Sequence, residues 1–142
     1  MFVNTTTALR IDQAEAALTR SVVETVIASG HAPDAFVRTL GSGVAAYLRP
    51  GSPMNKLIGV GFEGLLDEDA LGGIERDLAT RGEPVRVELS ALAPVEFATW
   101  LAARGYRLLG FENVLVRSLS AAATAPAVEI RVERVTPGTV NA

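Results

Sequence analysis

A continuous apolar run, KLIGVGF from Lys56, constrains the fold more than any other stretch of the chain. A strand with one face in water alternates apolar and polar residues, and this run does not alternate. It therefore predicts a central strand that is covered on both faces. Gly59 and Gly61 inside the run indicate a bulge or a close approach by another group.

The helices that would cover this strand are predicted by apolar residues spaced three and four apart. We expect a first helix over about residues 11–28, with Asp12 in its first turn and Gly30 ending it. Its predicted buried stripe is Ile11, Ala14, Leu18, Val22 and Val26.

A second helix is predicted after Gly64, with acidic residues at its start and Gly82 after its end. Its predicted buried residues are Leu66, Ala70, Ile74 and Leu78. Pro94 is expected in the first position of a third helix that ends at Gly105. Phe97, Trp100 and Leu101 give that third helix an apolar face.

Further strands are predicted on either side of the central one. GVAAYL from Gly43 is strand-like, and RPGSPMN after it is typical of a turn. VRVELS from Val85 alternates, which predicts a strand with apolar residues on one face and Arg86 and Glu88 on the other. GYRLLGFENVLVRSL is long enough for two strands with a turn near residues 110–113.

The end of the chain has a different composition from the rest. SAAATAPA, at residues 120–127, has small residues and a proline without apolar periodicity, which predicts a linker. Residues 128–142 begin with alternating Val128, Ile130 and Val132, which predict one more strand. We therefore expect a domain over 1–119, the linker, and a tail at 128–142.

Composition limits the class of protein. Apolar residues make up 49% of the 142 residues and charged residues 20%, which is typical of a folded globular domain. With 13 basic and 16 acidic residues, no positive field favours nucleic acid. No cysteine is present, which excludes disulfides and thiolate metal sites. No leader or membrane-spanning pattern is found, so a cytoplasmic location is expected by default.

The predicted order of segments resembles the GNAT-type N-acetyltransferases, although a first strand and a second helix are hard to place before Gly41. ARGYRLLGFENVL looks like the glycine-aromatic signature at the end of their last helix. With GSPMNKLIGVGF and VRVELSALA, this is similar to the N-terminal domain of bacterial proteins with two GNAT-like domains in tandem. The resemblance covers about residues 8–119. It implies an α+β fold with a mixed, mostly antiparallel central sheet flanked by helices.

The resemblance also implies where acetyl-coenzyme A would bind. In those enzymes the helix after the central strand begins with a glycine-containing motif whose N–H groups hold the pyrophosphate. The corresponding stretch here is LLDEDALGGIE, with Asp69 where Arg or Gln belongs and Ile74 where a small residue belongs. Gly72 and Gly73 are the weak candidates for cofactor binding, and the carboxylates at 67–69 oppose an anionic ligand.

A second element of the family pattern is absent. The tyrosine that is thought to protonate the leaving thiolate corresponds to Leu101, which has no proton to donate. Phe97 and Trp100 on the same helix resemble packing that would fill the space the pantetheine arm needs. We therefore assign no catalytic residue and expect no cofactor.

Four polar residues are candidates for a groove or a partner contact: Asn55, Glu63, Glu112 and Asn113. Asn55 and Asn113 equally suit turns, and Glu63 suits a surface charge. His31, the only histidine, lies in a predicted loop, so neither a catalytic triad nor a histidine metal site is expected.

Two hypotheses follow. The first is a noncatalytic GNAT-like module that packs against a second GNAT-like domain or forms a homodimer, with the Val128–Val135 strand as one candidate contact. The alternative is an active acyltransferase that binds acetyl-coenzyme A through a divergent site and acts on a small amine. An open cleft between the Lys56 and Val85 strands would favour the alternative, and a cleft filled by Phe97 or Trp100 the first.

Overall fold

The protein is described by a computed structural model over residues 4–116. The chain divides into two units, one ending at Leu108 and the other beginning at Leu109. Within the described residues, every helix and strand lies in the first unit. These elements are α1 (Thr5–Ala28), β1 (Phe36–Leu40), β2 (Gly43–Tyr47), β3 (Lys56–Ile58), α2 (Glu68–Thr80) and α3 (Val95–Ala103).

The three strands form an antiparallel sheet in the order β1-β2-β3. Ala45 of β2 is opposite Arg38 of β1 on one side and Leu57 of β3 on the other. Residues 85–89 add a parallel partner to β3, because Leu57 N donates to Arg86 O at 2.8 Å and Glu88 N donates to Leu57 O at 2.9 Å. The protein is therefore an α+β domain with a mixed, mostly antiparallel sheet.

The two faces of the sheet have different cores. On one face, α2 and α3 bury a large cluster that includes Leu57, Leu71 and Phe97. On the other face the cluster is small: Ala16 of α1 packs against Val44 and Ile58 of the sheet. The prediction that β3 is covered on both faces is confirmed, since Leu57 contributes to one cluster and Ile58 to the other.

The predicted bounds and buried face of α1 were partly wrong. The helix begins at Thr5, where the Asn4 side chain accepts a hydrogen bond from Thr7 N. Leu18 is 63% exposed. The buried residues are instead Ala8, Ala16, Thr19 and Val23.

The reason for this difference is the short distance between α1 and the sheet. Gly59 has φ +78°, and a Cβ added to it would lie 2.9 Å from the Ala16 Cβ and 3.2 Å from the Gly43 Cα. Only small side chains fit between two backbones at this separation. Large apolar residues of α1, such as Leu18, are therefore not on the face that touches the sheet.

Predictions for α2 and α3 are largely confirmed. Asp67 caps α2, and Leu71 is buried where Ala70 was expected, while Ile74 and Leu78 are buried as expected. Pro94 is the N-cap of α3 and not its first helical residue. Gly105, with φ +92°, follows the helix end.

β1 was not predicted as a strand, because Arg38 and Thr39 are exposed and leave it little apolar pattern. The prediction of two strands in GYRLLGFENVLVRSL is wrong for residues 106–116, which contain no strand or turn. Residues 117–119, the predicted linker at 120–127 and the tail at 128–142 lie outside the described residues. Among residues 4–116, no helix is long and apolar enough to cross a membrane.

Candidate functional site

The N-terminus of α2 is the position that the resemblance assigns to a cofactor pyrophosphate. The Asp67 carboxylate lies there and accepts a hydrogen bond from Ala70 N at 2.8 Å. Glu68 and Asp69 are exposed in the first turn. The sequence-predicted carboxylates are therefore all at this helix end, where they interact favourably with the helix dipole and add negative charge.

Gly72 and Gly73 lie one turn further along α2 and are half-buried. At this depth in a helix the backbone N–H groups bond to carbonyls of the preceding turn, so they are not free for a ligand. A Cβ on Gly72 would be 3.3 Å from Nη1 of Arg76, which lies along the same helix. These two glycines do not form a phosphate loop in the structure.

The space beside Gly61, where the chain leaves β3, is filled by side chains. Gly61 has φ +101°, and a Cβ on it would lie 2.6 Å from the Leu89 Cδ1 and 3.4 Å from the Phe97 ring. Phe97 is 1% exposed. The space in front of Gly61 is thus filled by the side chains of Leu89 and Phe97.

Helix α3 presents apolar residues to this region. Leu101, at the position where the resemblance would place a tyrosine, is buried. Trp100 is half-buried, with its ring centroid 5.6 Å from that of Phe97 and the Arg104 guanidinium 5.3 Å from the Trp100 ring. The helix therefore offers no proton donor at the position of Leu101.

A tyrosine does occur just after α3, and the sequence reasoning missed its role. The Tyr106 hydroxyl donates to Glu75 at 3.0 Å, and Arg104 Nη2 donates to the other oxygen of the same carboxylate at 2.8 Å. Burial is the main cause that raises the pKa of Tyr106, followed by its bond to Glu75. This group ties α2 to the end of α3, and its only signal in the sequence was a tyrosine after Gly105.

The structure puts Asn55 inside the loop that joins β2 to β3. Its Oδ1 accepts from Leu48 N at 2.9 Å, and its Nδ2 donates to Arg49 O at 2.8 Å and to Glu83 Oε2 at 3.1 Å. Asn55 is 1% exposed. It has the turn role that the sequence suggested, and it is not on a groove.

The Glu83 carboxylate completes this loop structure, since its other oxygen accepts from Gly51 N at 2.6 Å. That backbone bond, together with the bond from Asn55, lowers the pKa of Glu83. Glu83 was not singled out from the sequence, because nothing in its neighbourhood along the chain points to residues 51 and 55.

The other candidates are exposed, unlike Asn55. Glu63 is exposed in the loop after β3, and Glu112 and Asn113 are exposed in the second unit. His31 is exposed, with Nδ1 2.8 Å from the Ser29 Oγ. Of the four groove candidates, only Asn55 and Glu63 belong to the first unit, where Asn55 is buried and Glu63 is exposed.

A polar cluster that was not predicted lies on the α1 side of the sheet. Lys56 Nζ donates to both oxygens of Glu88, at 2.8 and 3.0 Å. Asp12 of α1 has an Oδ2 atom that is buried without a hydrogen-bond partner. Burial, and then repulsion from Glu15 and Glu88, raises the pKa of Asp12 to about 6.

Two cavities lie elsewhere in the first unit. One of about 310 Å³ is lined by α1 and by residues 39–44, and Arg20 of α1 donates across it to the Thr39 Oγ1 at 2.9 Å. The other, of about 420 Å³, is lined by His31, Asp34 and Arg49 among others. Within residues 4–116, no group of three histidine, aspartate or glutamate side chains is arranged to hold a metal ion.

Comparison with known proteins adds no relative. No protein-family model matches the chain, and neither a curated protein nor a solved structure matches it.

Proposed function

We propose that this chain is a GNAT-like module that does not catalyse acyl transfer itself and that acts by associating with another GNAT-like domain or with a second copy. The order of elements supports this family assignment. A helix, an antiparallel set of strands, α2, the 85–89 segment parallel to β3, and α3 follow one another as the resemblance implies.

The main support for a noncatalytic function is the set of carboxylates at the N-terminus of α2. An acetyltransferase of this family uses free N–H groups there to bind pyrophosphate. Here the Asp67 carboxylate already accepts from one of them, and Glu68 and Asp69 surround the others with negative charge. A pyrophosphate would meet three carboxylates and would have to displace the cap.

The filled space beside Gly61 supports the same conclusion independently. A pantetheine arm needs a gap between the central strand and its parallel neighbour. Leu89 and Phe97 fill the space beside Gly61, and emptying a core position of a buried phenylalanine ring costs about 3–5 kcal/mol.

The alternative is an active acyltransferase with a divergent cofactor site at Gly72 and Gly73. These residues are in the second turn of α2, where N–H groups are engaged within the helix. The alternative therefore needs a different pyrophosphate-binding site, and no observation on the described residues favours such a site.

Isothermal titration of the full chain with acetyl-coenzyme A tests the proposal. We expect no heat of binding and no thermal shift at millimolar ligand. An active GNAT acetyltransferase titrated in parallel with the same ligand stock serves as the positive control. Binding in the micromolar range by this chain would refute the noncatalytic proposal and direct attention to an amine acceptor.

A further inference from the structure

Within the first unit, residues 85–89 have one paired edge and one open edge. Arg86 O and Glu88 N bond to Leu57 of β3. In an extended chain the polar groups of alternate residues point to opposite edges, so those of Val85, Val87 and Leu89 point away from β3. Among the described residues of the first unit, 4–108, these groups form no backbone hydrogen bond. Such an edge is a template for another strand.

The side chains of this segment are self-complementary in one register. If two such segments pair antiparallel with Val87 opposite Val87, Arg86 of each is opposite Glu88 of the other. Val85 is then opposite Leu89. In the structure Arg86 and Glu88 are partly exposed, whereas Val85, Val87 and Leu89 pack against the larger core. Charge therefore faces opposite charge, and apolar residues face apolar residues.

The hydrogen-bond phase agrees with this register. Because the polar groups of Val87 point outward, the two Val87 residues form a hydrogen-bonded pair that exchanges two N–H···O bonds. Arg86 and Glu88 then form the non-hydrogen-bonded pairs, in which the Cα atoms are only about 4.5 Å apart and side chains are closest. Arg86 is available for this contact, since its distance to Glu83 is 3.8 Å, at the limit of an ion pair.

We propose that a second copy of this chain pairs with residues 85–89 in this antiparallel register, which joins the sheets of two copies across a two-fold axis at Val87. The interface uses the same patch on both copies, as closed two-fold dimers do. Each cross-strand Arg86–Glu88 pair extends the Lys56–Glu88 ion pair into a row of alternating charges.

The dimer rests on the proposed function, because it supplies the partner of a module that works by association. The acetyl-coenzyme A titration tests that function, whereas the mass of the particle in solution tests the dimer. The proposed function and the proposed dimer can therefore be refuted independently of each other.

Sedimentation equilibrium of the full chain over a range of concentrations is the first measurement, and we expect twice the mass of one chain. Arg86→Glu sets glutamate opposite glutamate, and Glu88→Arg sets arginine opposite arginine. Each variant alone is expected to show half the wild-type mass. Mixed in equal amounts, the two variants restore both opposite-charge pairs, and we expect the dimer to return.

Two further variants make the test specific. Arg76→Glu makes the same charge change on an exposed residue of α2 and is expected to leave the dimer intact. Val87→Pro removes an outward N–H while the bonds of Leu57 to Arg86 and Glu88 remain, and it is expected to halve the mass. Far-UV circular dichroism and thermal melting check that each variant is folded.

Three results would overturn the proposal. One is a monomeric wild-type chain at every concentration, and another is a mixture of folded Arg86→Glu and Glu88→Arg chains that stays monomeric. The third is a dimer that Arg86→Glu and Val87→Pro leave intact, which would assign association to another surface, such as the tail from Val128.

Discussion

The two faces of the sheet are stabilised in different ways. The α2 and α3 face buries a large continuous cluster of leucine, isoleucine, valine and aromatic side chains. The α1 face depends on three small or medium residues and on a close approach between helix and strand at Gly59. It also holds the unpartnered Asp12 oxygen.

This contrast indicates how each face responds to change. The large cluster gains its stability from buried apolar area, so removing atoms there costs most. The α1 face gains less area and depends on a close approach and on charge, so an added methyl group or a neutralised carboxylate is the change that tests it. The predictions below test this difference, beginning with the largest expected change.

Truncation of Phe97 is expected to have the largest effect. Phe97→Ala removes a fully buried ring from the larger cluster and should lower the free energy of unfolding by about 3–5 kcal/mol. Val95→Ala, on the same helix at a side chain that is 70% exposed, should change it by less than about 0.5 kcal/mol. Urea denaturation measures both, and equal losses would show that α3 does not carry the main core.

Adding a methyl group at Gly59 tests the close approach of α1. Gly59→Ala should destabilise by about 2–3 kcal/mol, because the positive φ is unfavourable and the new Cβ lies against Ala16. Gly64→Ala is the matched control, since Gly64 also has a positive φ but nothing within 4 Å of its Cβ position. It should cost only about 1–2 kcal/mol. Equal costs for the two variants would contradict a tight contact between α1 and the sheet.

Neutralising Asp12 should have the smallest effect, and one that depends on pH. The pKa of Asp12 is raised from 3.8 to about 6, so the folded state holds the proton more tightly than the unfolded state. The stability from this proton is complete below about pH 4 and is lost as the pH rises through 6.

Asp12→Asn should therefore stabilise the protein at pH 8 by about 1 kcal/mol, a value reduced for solvent screening of a partly exposed group, and should have little effect at pH 4. Thermal melts at both pH values measure this difference. Glu63→Gln, at an exposed loop carboxylate, should show no such dependence. A uniform effect of Asp12→Asn at both pH values would mean that charge is not its cause.

The same contrast explains what the sequence could predict about the fold. The helices α2 and α3 face the larger cluster, and their apolar periodicity identified Ile74, Leu78, Phe97 and Leu101 correctly. The buried face of α1 was misassigned, because a close helix contact selects small residues such as Ala16, and hydropathy gives these little weight. β1 escaped prediction because two of its five residues are exposed polar ones.

The residues of the candidate site also differ in whether the sequence could predict their roles. The acidic start of α2 and the buried position of Leu101 followed from the sequence, since both depend on neighbours along the chain. The contacts of Glu75 with Tyr106 and of Glu83 with Asn55 did not, because they join residues about 30 positions apart. Likewise, no local pattern indicated that Glu88 would lie near enough to Asp12 to raise its pKa.

The loop between β2 and β3 gains a particular property from Asn55. The Asn55 amide group bonds to the backbone of Leu48 and Arg49, and the Glu83 carboxylate bonds to Asn55 and to Gly51 N. The loop, which contains two prolines and a glycine, is therefore fixed to the segment that follows α2. Opening this loop breaks four hydrogen bonds at once, three of them partly buried. Its backbone amides should therefore exchange with solvent together with the sheet, as part of one cooperative unit, and not as an independently fraying loop.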